Sequence, residues 1–200
     1  KTQLLLNEDG TFSIYNPDFE KLALGEVADV SIRFLQSPAA NSGSTLIVNT
    51  TALKVTGTNE APLVEEALAS TTNEDTSSYV IDLLQGASDI DHGAVLAAVN
   101  VVETSSNARG WSLEGDTLVV DPSAYGYLND GQSQQLLFEY EVTDEHGATV
   151  MQSLSIAIEG ITDPPTVEVR TSAGNDVNEV ILHVTSTQAA KEQVRLAFQD

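Results

Sequence analysis

The chain has 200 residues, enough for one or two domains of ordinary size. It carries 30 acidic and 8 basic residues, a net charge of −22, which argues against binding to nucleic acid or to an anionic membrane surface. The hydrophobic fraction of 41% can fill a core, and no apolar run approaches the ~18 residues of a membrane span. Cysteine is absent, which excludes disulfides, thiolate metal sites and cysteine nucleophiles.

Short β-rich segments recur along the whole chain, separated by Gly, Asn, Asp and Pro clusters that are typical of turns. In Leu154–Ile158 large apolar residues alternate with small ones, which predicts a strand with one buried face. Many short strands with regular turn signals predict an all-β sandwich or barrel, and a short helix over Val64–Ala69 is the alternative for one segment. The clearest predicted strands are Thr11–Tyr15, Val27–Leu35, Thr45–Val55, Ser78–Leu84, Val95–Val102, Thr117–Val120, Leu136–Val142 and Thr149–Ile158.

The most informative feature is an internal repeat with a spacing of 103 residues, the size of one sandwich domain. The segment Gly57–Pro62 (GTNEAP) resembles Gly160–Pro165 (GITDPP), and the segments before them also correspond. We therefore predict that residues 1–62 are the C-terminal part of one repeat and that 63–165 are a complete repeat. Residues 166–200 would begin a third, with strands Thr166–Thr171, Glu179–Thr185 and Gln193–Phe198. The corresponding apolar positions are Val30, Ile32 and Phe34 in the first copy and Leu136, Phe138 and Tyr140 in the second.

The incomplete ends leave three alternatives open. The natural chain continues on both sides, another domain is inserted there, or the end segments pair with each other within or between molecules.

A family resemblance follows from these motifs. Gly57–Pro62 is close to the Gly-Thr-Asn-Asp-Ala-Pro signature that ends tandem VCBS and cadherin-like repeats of bacterial surface adhesins, including RTX adhesins. The resemblance implies tandem immunoglobulin/cadherin-like Greek-key β-sandwich domains, one complete and two partial. It weakens over residues 166–200, and the first copy has Ser37–Gly43 where the second has its Asp144 loop. Further matching elements are Asn7–Phe12, Asn73–Thr76, Asp89–Gly93 and Tyr140–Gly147.

Several carboxylates are expected to meet at the end of the second copy that receives the incoming linker. In a seven-strand sandwich the B–C and F–G turns both lie at that end, and a hard cation such as Ca²⁺ takes about six to eight oxygen ligands. We therefore predict a first calcium site here, with Asn16 or Asp18 of the first copy closing it. Its other predicted members are Asn59 and Glu60 in the linker, Asp89 and Asp91 after strand B, and Asp144 with Glu145 in the F–G turn.

A second acidic cluster is predicted at the opposite end of the same copy, in the three regions that cadherins use at their interdomain calcium sites. It comprises Asn73, Glu74 and Asp75 in the A–B turn, Asp121 and Asp130 around the E–F connection, and Asp163 in the outgoing linker. For Asp121-Pro122 and Asn129–Gly131 an ordinary turn-forming role stays open, because these residues suit tight turns. Residues 185–191 offer no matching Asp-x-Asp element.

The functional expectation is a non-enzymatic, calcium-rigidified extender module of a large bacterial adhesin, secreted to the cell surface and active in adhesion or biofilm formation. Its partners would be neighbouring repeats of the same chain, and other domains would bind a host or surface ligand. The alternatives are a split or supporting domain of a carbohydrate- or peptide-binding module, and a secreted hydrolase. His92, His146 and His183 are expected to be exposed and without function, and Trp111 is expected to lie in the core.

Overall fold

The computed structural model describes residues 2–36, 47–163, 166–169 and 182–185. Within these ranges the chain is all-β, as the sequence predicts, apart from two 3₁₀ helices at Pro17–Lys21 and Pro122–Tyr125. The strands are β1 (Gln3–Leu6), β2 (Phe12–Tyr15), β3 (Val27–Gln36), β4 (Ile47–Thr56), β5 (Leu63–Val64), β6 (Leu68–Asn73), β7 (Tyr79–Asp82), β8 (Ala87–Ser88), β9 (Ala97–Glu103), β10 (Trp111–Glu114), β11 (Thr117–Val120), β12 (Ser133–Thr143), β13 (Thr149–Glu159), β14 (Thr166–Val169) and β15 (Leu182–Thr185).

The second copy of the repeat forms two sheets. One has the strand order β10-β11-β7, and both pairings are antiparallel. The other has the order β6-β13-β12-β9, and β6 runs parallel to β13 from Leu68 opposite Leu154 to Asn73 opposite Glu159. This order, with the first strand beside the last, is that of a Greek-key sandwich.

The core of this copy comes from the period of two in its longest strands. Every second residue is buried from Leu136 to Val142 in β12 and from Gln152 to Ile158 in β13, whereas the residues between them are exposed or half-buried. The two sheets meet where the Trp111 ring packs edge-on against Phe138 at 5.2 Å and where the Tyr140 hydroxyl donates to the Leu83 carbonyl at 2.8 Å. The buried strand residues are Leu118, Val120, Leu136, Phe138, Tyr140, Val142, Leu154, Ile156 and Ile158.

The chain divides into two compact units. The first unit comprises residues 1–65, 86–99 and 141–151, and the second comprises 66–85, 100–140 and 152–200. The first unit contains two antiparallel hairpins, β1–β2 and β3–β4, together with the short antiparallel pair β5–β8. The second contains the β10-β11-β7 sheet and the parallel pairing of β6 with β13.

The helical alternative for Val64–Ala69 is wrong. The segment ends one strand and begins another, because Leu63 and Val64 pair with β8 while the chain from Leu68 pairs with β13. The sequence analysis does not predict five of the strands: β1, β5, β6, β8 and β10. The start of the predicted strand Thr45–Val55 and all of Gln193–Phe198 lie outside the described residues.

The two copies share a tight turn that fixes the start of each linker. The backbone N–H of Gly57 donates to Glu26 O at 2.8 Å, and that of Gly160 donates to Gln132 O at 2.9 Å. A Cβ atom on Gly57 would collide with the carbonyl oxygens of Leu22 and Ala23, and one on Gly160 would collide with that of Asn129. Glycine is therefore required at both linkers by the close approach of backbone. The predicted domain boundaries themselves remain a prediction.

Candidate metal centre

The Asp89–Gly93 loop follows β8, and its first residue, Asp89, forms a hydrogen bond within the loop. Asp89 Oδ1 accepts a hydrogen bond from the backbone N–H of Asp91 at 2.9 Å, a local turn that aspartate side chains favour. Gly93 closes the loop with a φ of +76°, a left-handed conformation that glycine adopts without strain. This turn holds Asp89 and Asp91 at a fixed separation.

Asp144 organises the turn between β12 and β13. Its Oδ1 accepts from the backbone N–H groups of His146 at 2.8 Å and Ala148 at 3.0 Å. Its Oδ2 accepts from Asn59 Nδ2 at 2.8 Å, so the carboxylate bridges this turn to the linker. Burial raises the pKa of Asp144, but the hydrogen bonds from Asn59 and from the turn outweigh it and leave that pKa below its ordinary value.

The linker residues Asn59 and Glu60 join these two turns, as predicted. The backbone N–H of Glu60 donates to Asp91 Oδ2 at 3.2 Å, next to the bond between Asn59 and Asp144. The Glu60 side chain accepts from the Thr58 hydroxyl at 2.8 Å. Five of the predicted residues thus lie in one chain of contacts within the first unit: Asn59, Glu60, Asp89, Asp91 and Asp144.

Asp91 is the least compensated charge of this group. It is only 7% exposed, and its Oδ1 is buried without a hydrogen-bond partner among the described residues. Burial raises the pKa of the Asp91 carboxyl, and the nearby Glu60 and Asp144 carboxylates raise it further. Asp89 Oδ2 is likewise buried and unpartnered within the described ranges. Buried carboxylate oxygens without partners are costly, so this arrangement favours a cation.

Two other predicted carboxylates of the first cluster, Glu145 and Asp18, each have a hydrogen-bond or ion-pair partner of their own. Glu145 Oε2 accepts from the backbone N–H of Val95 at 2.8 Å, and this bond lowers the pKa of Glu145. Asp18 Oδ1 forms an ion pair with the Lys21 ammonium at 3.3 Å. The backbone N–H of Asp18 donates to Asn16 Oδ1. Asp18 and Asn16 both line an open pocket of the first unit, together with His92.

The second predicted cluster is centred on Glu74. This side chain is 1% exposed, and its Oε1 accepts from the backbone N–H of Ile161 in the outgoing linker at 2.9 Å. Its Oε2 is buried without a partner in the described part of the chain. Glu74 therefore resembles Asp91 in having one oxygen bound and one unpaired.

The remaining predicted residues of the second cluster are less closely assembled. Asp75 is exposed and donates its backbone N–H to Asn73 Oδ1 at 3.2 Å. Asp121 caps the second 3₁₀ helix by accepting from the backbone N–H of Ser123 at 3.2 Å, which is the turn-forming alternative for this residue. Asp163 is half-buried in the linker and Asp130 is exposed.

The donor set fits a hard cation. Carboxylate, amide and carbonyl oxygens are the ligands that Ca²⁺ takes. In the first cluster one oxygen each of Asp89 and Asp91 is buried without a partner among the described residues, and in the second cluster the same holds for one oxygen of Glu74. Within residues 2–36, 47–163 and the two short C-terminal strands, no group of three or more His, Asp or Glu side chains is close enough to hold a metal ion as arranged. The hydrogen bonds of this linker therefore bring possible metal ligands next to one another without forming a closed metal site. The residues are Asn59, Glu60, Asp91 and Asp144.

One contact of this region is not predicted from the sequence. His92 Nδ1 donates to Glu26 Oε2 at 3.0 Å, and the backbone N–H of His92 donates to Lys21 O at 2.8 Å. The expectation that His92 is merely exposed is therefore incomplete, although its side chain is 53% exposed. No local signal indicates the pair, because the two residues are 66 positions apart.

The aromatic residues occupy mostly structural positions. Tyr125 is fully buried, and its hydroxyl donates to Arg109 O at 2.8 Å. Trp111 is half-buried against Phe138, near the core position expected for it. Tyr127 is 50% exposed beneath the Arg109 guanidinium, whose Cζ lies 4.7 Å from the ring centroid.

Comparison with known proteins identifies the family of the second copy. A model of the cadherin-like domain matches residues 58–159, about half of the 200-residue chain. The chain belongs to the cadherin-like domain family. Its second copy is thus an adhesion-type structural module, and the match includes the linker residue Asn59 as well as Asp144.

A solved structure that the chain matches is that of the extracellular cadherin domains 1–4 of protocadherin gamma B7. It has 14% sequence identity and a TM-score of 0.43 to this cadherin-like chain. The alignment covers 95% of this chain and 48% of that one, so the chain spans about half its length. No curated protein matches the chain.

Proposed function

We propose that this cadherin-like chain is a calcium-stabilised extender module of a large bacterial cell-surface adhesin. In this proposal the protein is secreted, carries no catalytic activity, and holds neighbouring repeats in line so that other domains reach a host or surface ligand. The membership of the cadherin-like family supports an adhesion role, and the GTNEAP-type linkers support the bacterial adhesin assignment. In the described part of the chain, no helix is long and apolar enough to cross a membrane.

The observation that carries the proposal is the buried Oδ1 of Asp91, which has no hydrogen-bond partner among the described residues and lies near the Glu60 and Asp144 carboxylates. Without a cation, burial disfavours the charged form of Asp91 and the nearby Glu60 and Asp144 carboxylates repel it, and both effects raise the pKa of Asp91. Bound calcium supplies the missing positive charge. Asp91, Asp89 and Glu60 would hold it, with Asn59 and Asp144 as further oxygen donors, and Asp18 remains a predicted member.

A second calcium site is proposed on the same grounds at the outgoing linker. Glu74 has one buried oxygen without a partner among the described residues, while its other oxygen is bound to the linker backbone at Ile161. Asp75, Asp121 and Asp163 remain its predicted companions. Two such sites would let one module be stiffened at both of its linkers.

Thermal unfolding of the whole chain tests the proposal. Calcium should raise the melting temperature, with magnesium as the control, because a ligand that binds only the folded state stabilises it by about 2.7 kcal/mol at a hundredfold excess over Kd. Extracellular modules bind calcium with Kd values of about 10⁻⁴ to 10⁻³ M, so titration to about 10 mM is needed. No shift at that concentration would contradict the proposal.

Substitution of Asp91 assigns the effect. The change Asp91→Asn should remove most of the calcium response of the first site. In the presence of a chelator the same change should leave stability equal or higher, since it removes a repelled charge. Asp29→Asn is the matched control, because Asp29 is an exposed carboxylate that pairs with Lys54 at 2.8 Å. An equal loss of response in both variants would refute a specific site.

A second candidate function is a part of a carbohydrate- or peptide-binding module. An open pocket of about 400 Å³ in the first unit favours it, since the pocket combines Phe19 and Val30 with the carboxylates of Asp18 and Asp29. A glycan and peptide array tests this role. Binding that Phe19→Ala abolishes while the calcium response persists would support it.

A further inference from the structure

We infer that Glu26 and His92 form a metal-independent clamp that holds the Asp89–Gly93 loop against the turn Lys21–Glu26 of the preceding copy. Glu26 and His92 are positioning residues in this inference, and neither is assigned as a metal ligand. The inference rests on the proposed function only in that the loop carries the proposed ligands Asp89 and Asp91.

The turn that presents Glu26 is held by a continuous set of backbone hydrogen bonds. Gly57 N donates to Glu26 O at 2.8 Å, Gly25 N donates to Gly57 O at 3.1 Å, and Glu26 N donates to Ala23 O at 2.8 Å. The carboxylate is oriented as well, because Glu26 Oε2 accepts from the backbone N–H of Ala23 at 3.0 Å. Glu26 therefore projects from a fixed backbone.

The loop meets this turn through two bonds from one residue. The His92 ring donates to the same Oε2 that Ala23 orients, and the His92 backbone N–H donates to Lys21 O at 2.8 Å. A side-chain bond and a main-chain bond from one residue fix the position and direction of the loop more closely than either bond alone. Because Asp91 directly precedes His92, the clamp sets where that carboxylate lies.

The His92–Glu26 pair positions the Asp89–Gly93 loop and contributes little to the free energy of folding. His92 and Glu26 are 53% and 42% exposed, and exposed ion pairs contribute little to the free energy of folding. The clamp should therefore alter the distribution of loop positions with little change in melting temperature. A purely structural role would show the reverse pattern.

The second copy provides a natural comparison. At the position of Glu26 it has Gln132, whose Oε1 accepts from both the backbone N–H and the side-chain Nδ2 of Asn129, at 2.8 and 2.9 Å. The Gln132 side chain thus forms hydrogen bonds within its own turn. The Glu26 side chain does the same and also binds the following loop through His92. Among the described residues, the clamp is found at the first linker.

Distance measurements between spin labels test the clamp in the full chain. The sequence has no cysteine, so Thr50→Cys in β4 and Val95→Cys, two residues after the loop, provide the only two attachment points. Both positions are exposed and lie in the first unit. In the presence of a chelator the parent should give a narrow distance distribution. Glu26→Ala and His92→Ala should each broaden it about twofold, and the double variant should add nothing further, because either change removes the same side-chain contact.

The matched control is Glu20→Ala, which makes the same truncation and charge change at an exposed position in the same turn region. It should leave the distribution unchanged, and all variants should melt within a few degrees of the parent. Equal broadening by Glu20→Ala, or a narrow distribution in both clamp variants, would overturn the inference. A broad distribution in the chelated parent would overturn it as well.

Calcium separates this inference from the proposed function. If calcium narrows the distributions of the clamp variants, both ideas stand. If calcium has no effect on any variant while the distribution of chelated Glu26→Ala is broader than that of the parent, the clamp stands and the calcium role fails.

Discussion

The two copies of the repeat carry the same apolar pattern with opposite outcomes for burial. Phe138 and Tyr140 in β12 are each 1% exposed, whereas Phe34, which corresponds to Tyr140 in the repeat, is 49% exposed in β3. The difference lies in what covers each strand. In the second copy the β10-β11-β7 sheet packs over β12 through Trp111 and Leu83, and β3 is hydrogen-bonded to β4 alone among the described strands. An alternating pattern therefore specifies which face turns inward, and a second sheet is needed before that face is buried.

The largest test of this comparison is removal of one aromatic ring from each copy. Phe138→Ala should destabilise the second copy by about 3–5 kcal/mol, because it leaves a cavity in a closed core. Phe34→Ala should cost about 0.5 kcal/mol or less, as exposed positions usually do. Urea unfolding monitored by circular dichroism measures both. Similar losses in the two variants would show that Phe34 is buried against a partner in solution.

A smaller effect is expected at alkaline pH from Tyr140. Burial raises the pKa of Tyr140 to about 12, and the charge of Asp82 adds to the shift. The folded state thus favours the neutral phenol of Tyr140. This preference stabilises the folded protein fully below the unfolded pKa of about 10, and the stabilisation is lost as the pH rises through about 12. The urea midpoint should fall over that interval.

Tyr140→Phe provides the control for this pH dependence. It should flatten the alkaline slope and lower stability at neutral pH by about 1 kcal/mol, since the Leu83 carbonyl loses its donor. Tyr125 retains part of the slope in this variant, because burial raises its pKa too. An unchanged slope in Tyr140→Phe would assign the alkaline transition to another group.

A third test compares the two linker glycines. Gly160→Ala should destabilise the second copy by about 1–3 kcal/mol, because its Cβ would meet Asn129 O and Leu128 Cβ. The single tryptophan, Trp111, reports on this copy by fluorescence. Gly57→Ala should shift that signal less, since its collision is with Leu22 and Ala23. A larger tryptophan shift for Gly57→Ala would show that the two copies unfold together.

Local patterns predict much of this fold and part of the candidate site. The strand Thr117–Val120 has the predicted bounds, and the linker pair Asn59 and Glu60 meets the Asp91 and Asp144 turns as expected. These features follow from period-two alternation and from motifs whose partners share one end of a sandwich. Strand β6 escapes prediction because its polar sequence, LASTTN, is held by pairing with β13 rather than by its own pattern.

Contacts between distant turns are the part that the sequence could not provide. Glu26 stands in an ordinary Gly-Glu turn, and its bond to His92 depends on how that turn approaches the next loop. Likewise the sequence predicts that Asn16 or Asp18 closes the first calcium site, whereas the ion-pair partner of Asp18 is Lys21, three residues away. Charge and residue type are readable from the chain, whereas the choice between two nearby partners depends on tertiary geometry.

The parallel pairing of β6 with β13 has a mechanical consequence. Tension on a tethered chain would pull β6 at its beginning and β13 at its end, and in parallel strands these pulls act in opposite directions along the same line. The hydrogen bonds between Leu68–Asn73 and Leu154–Glu159 would then be loaded together in shear, rather than opened one after another like a zipper. Such a pair resists extension until several bonds fail at once. The repeat is therefore built to carry load along the direction of the chain.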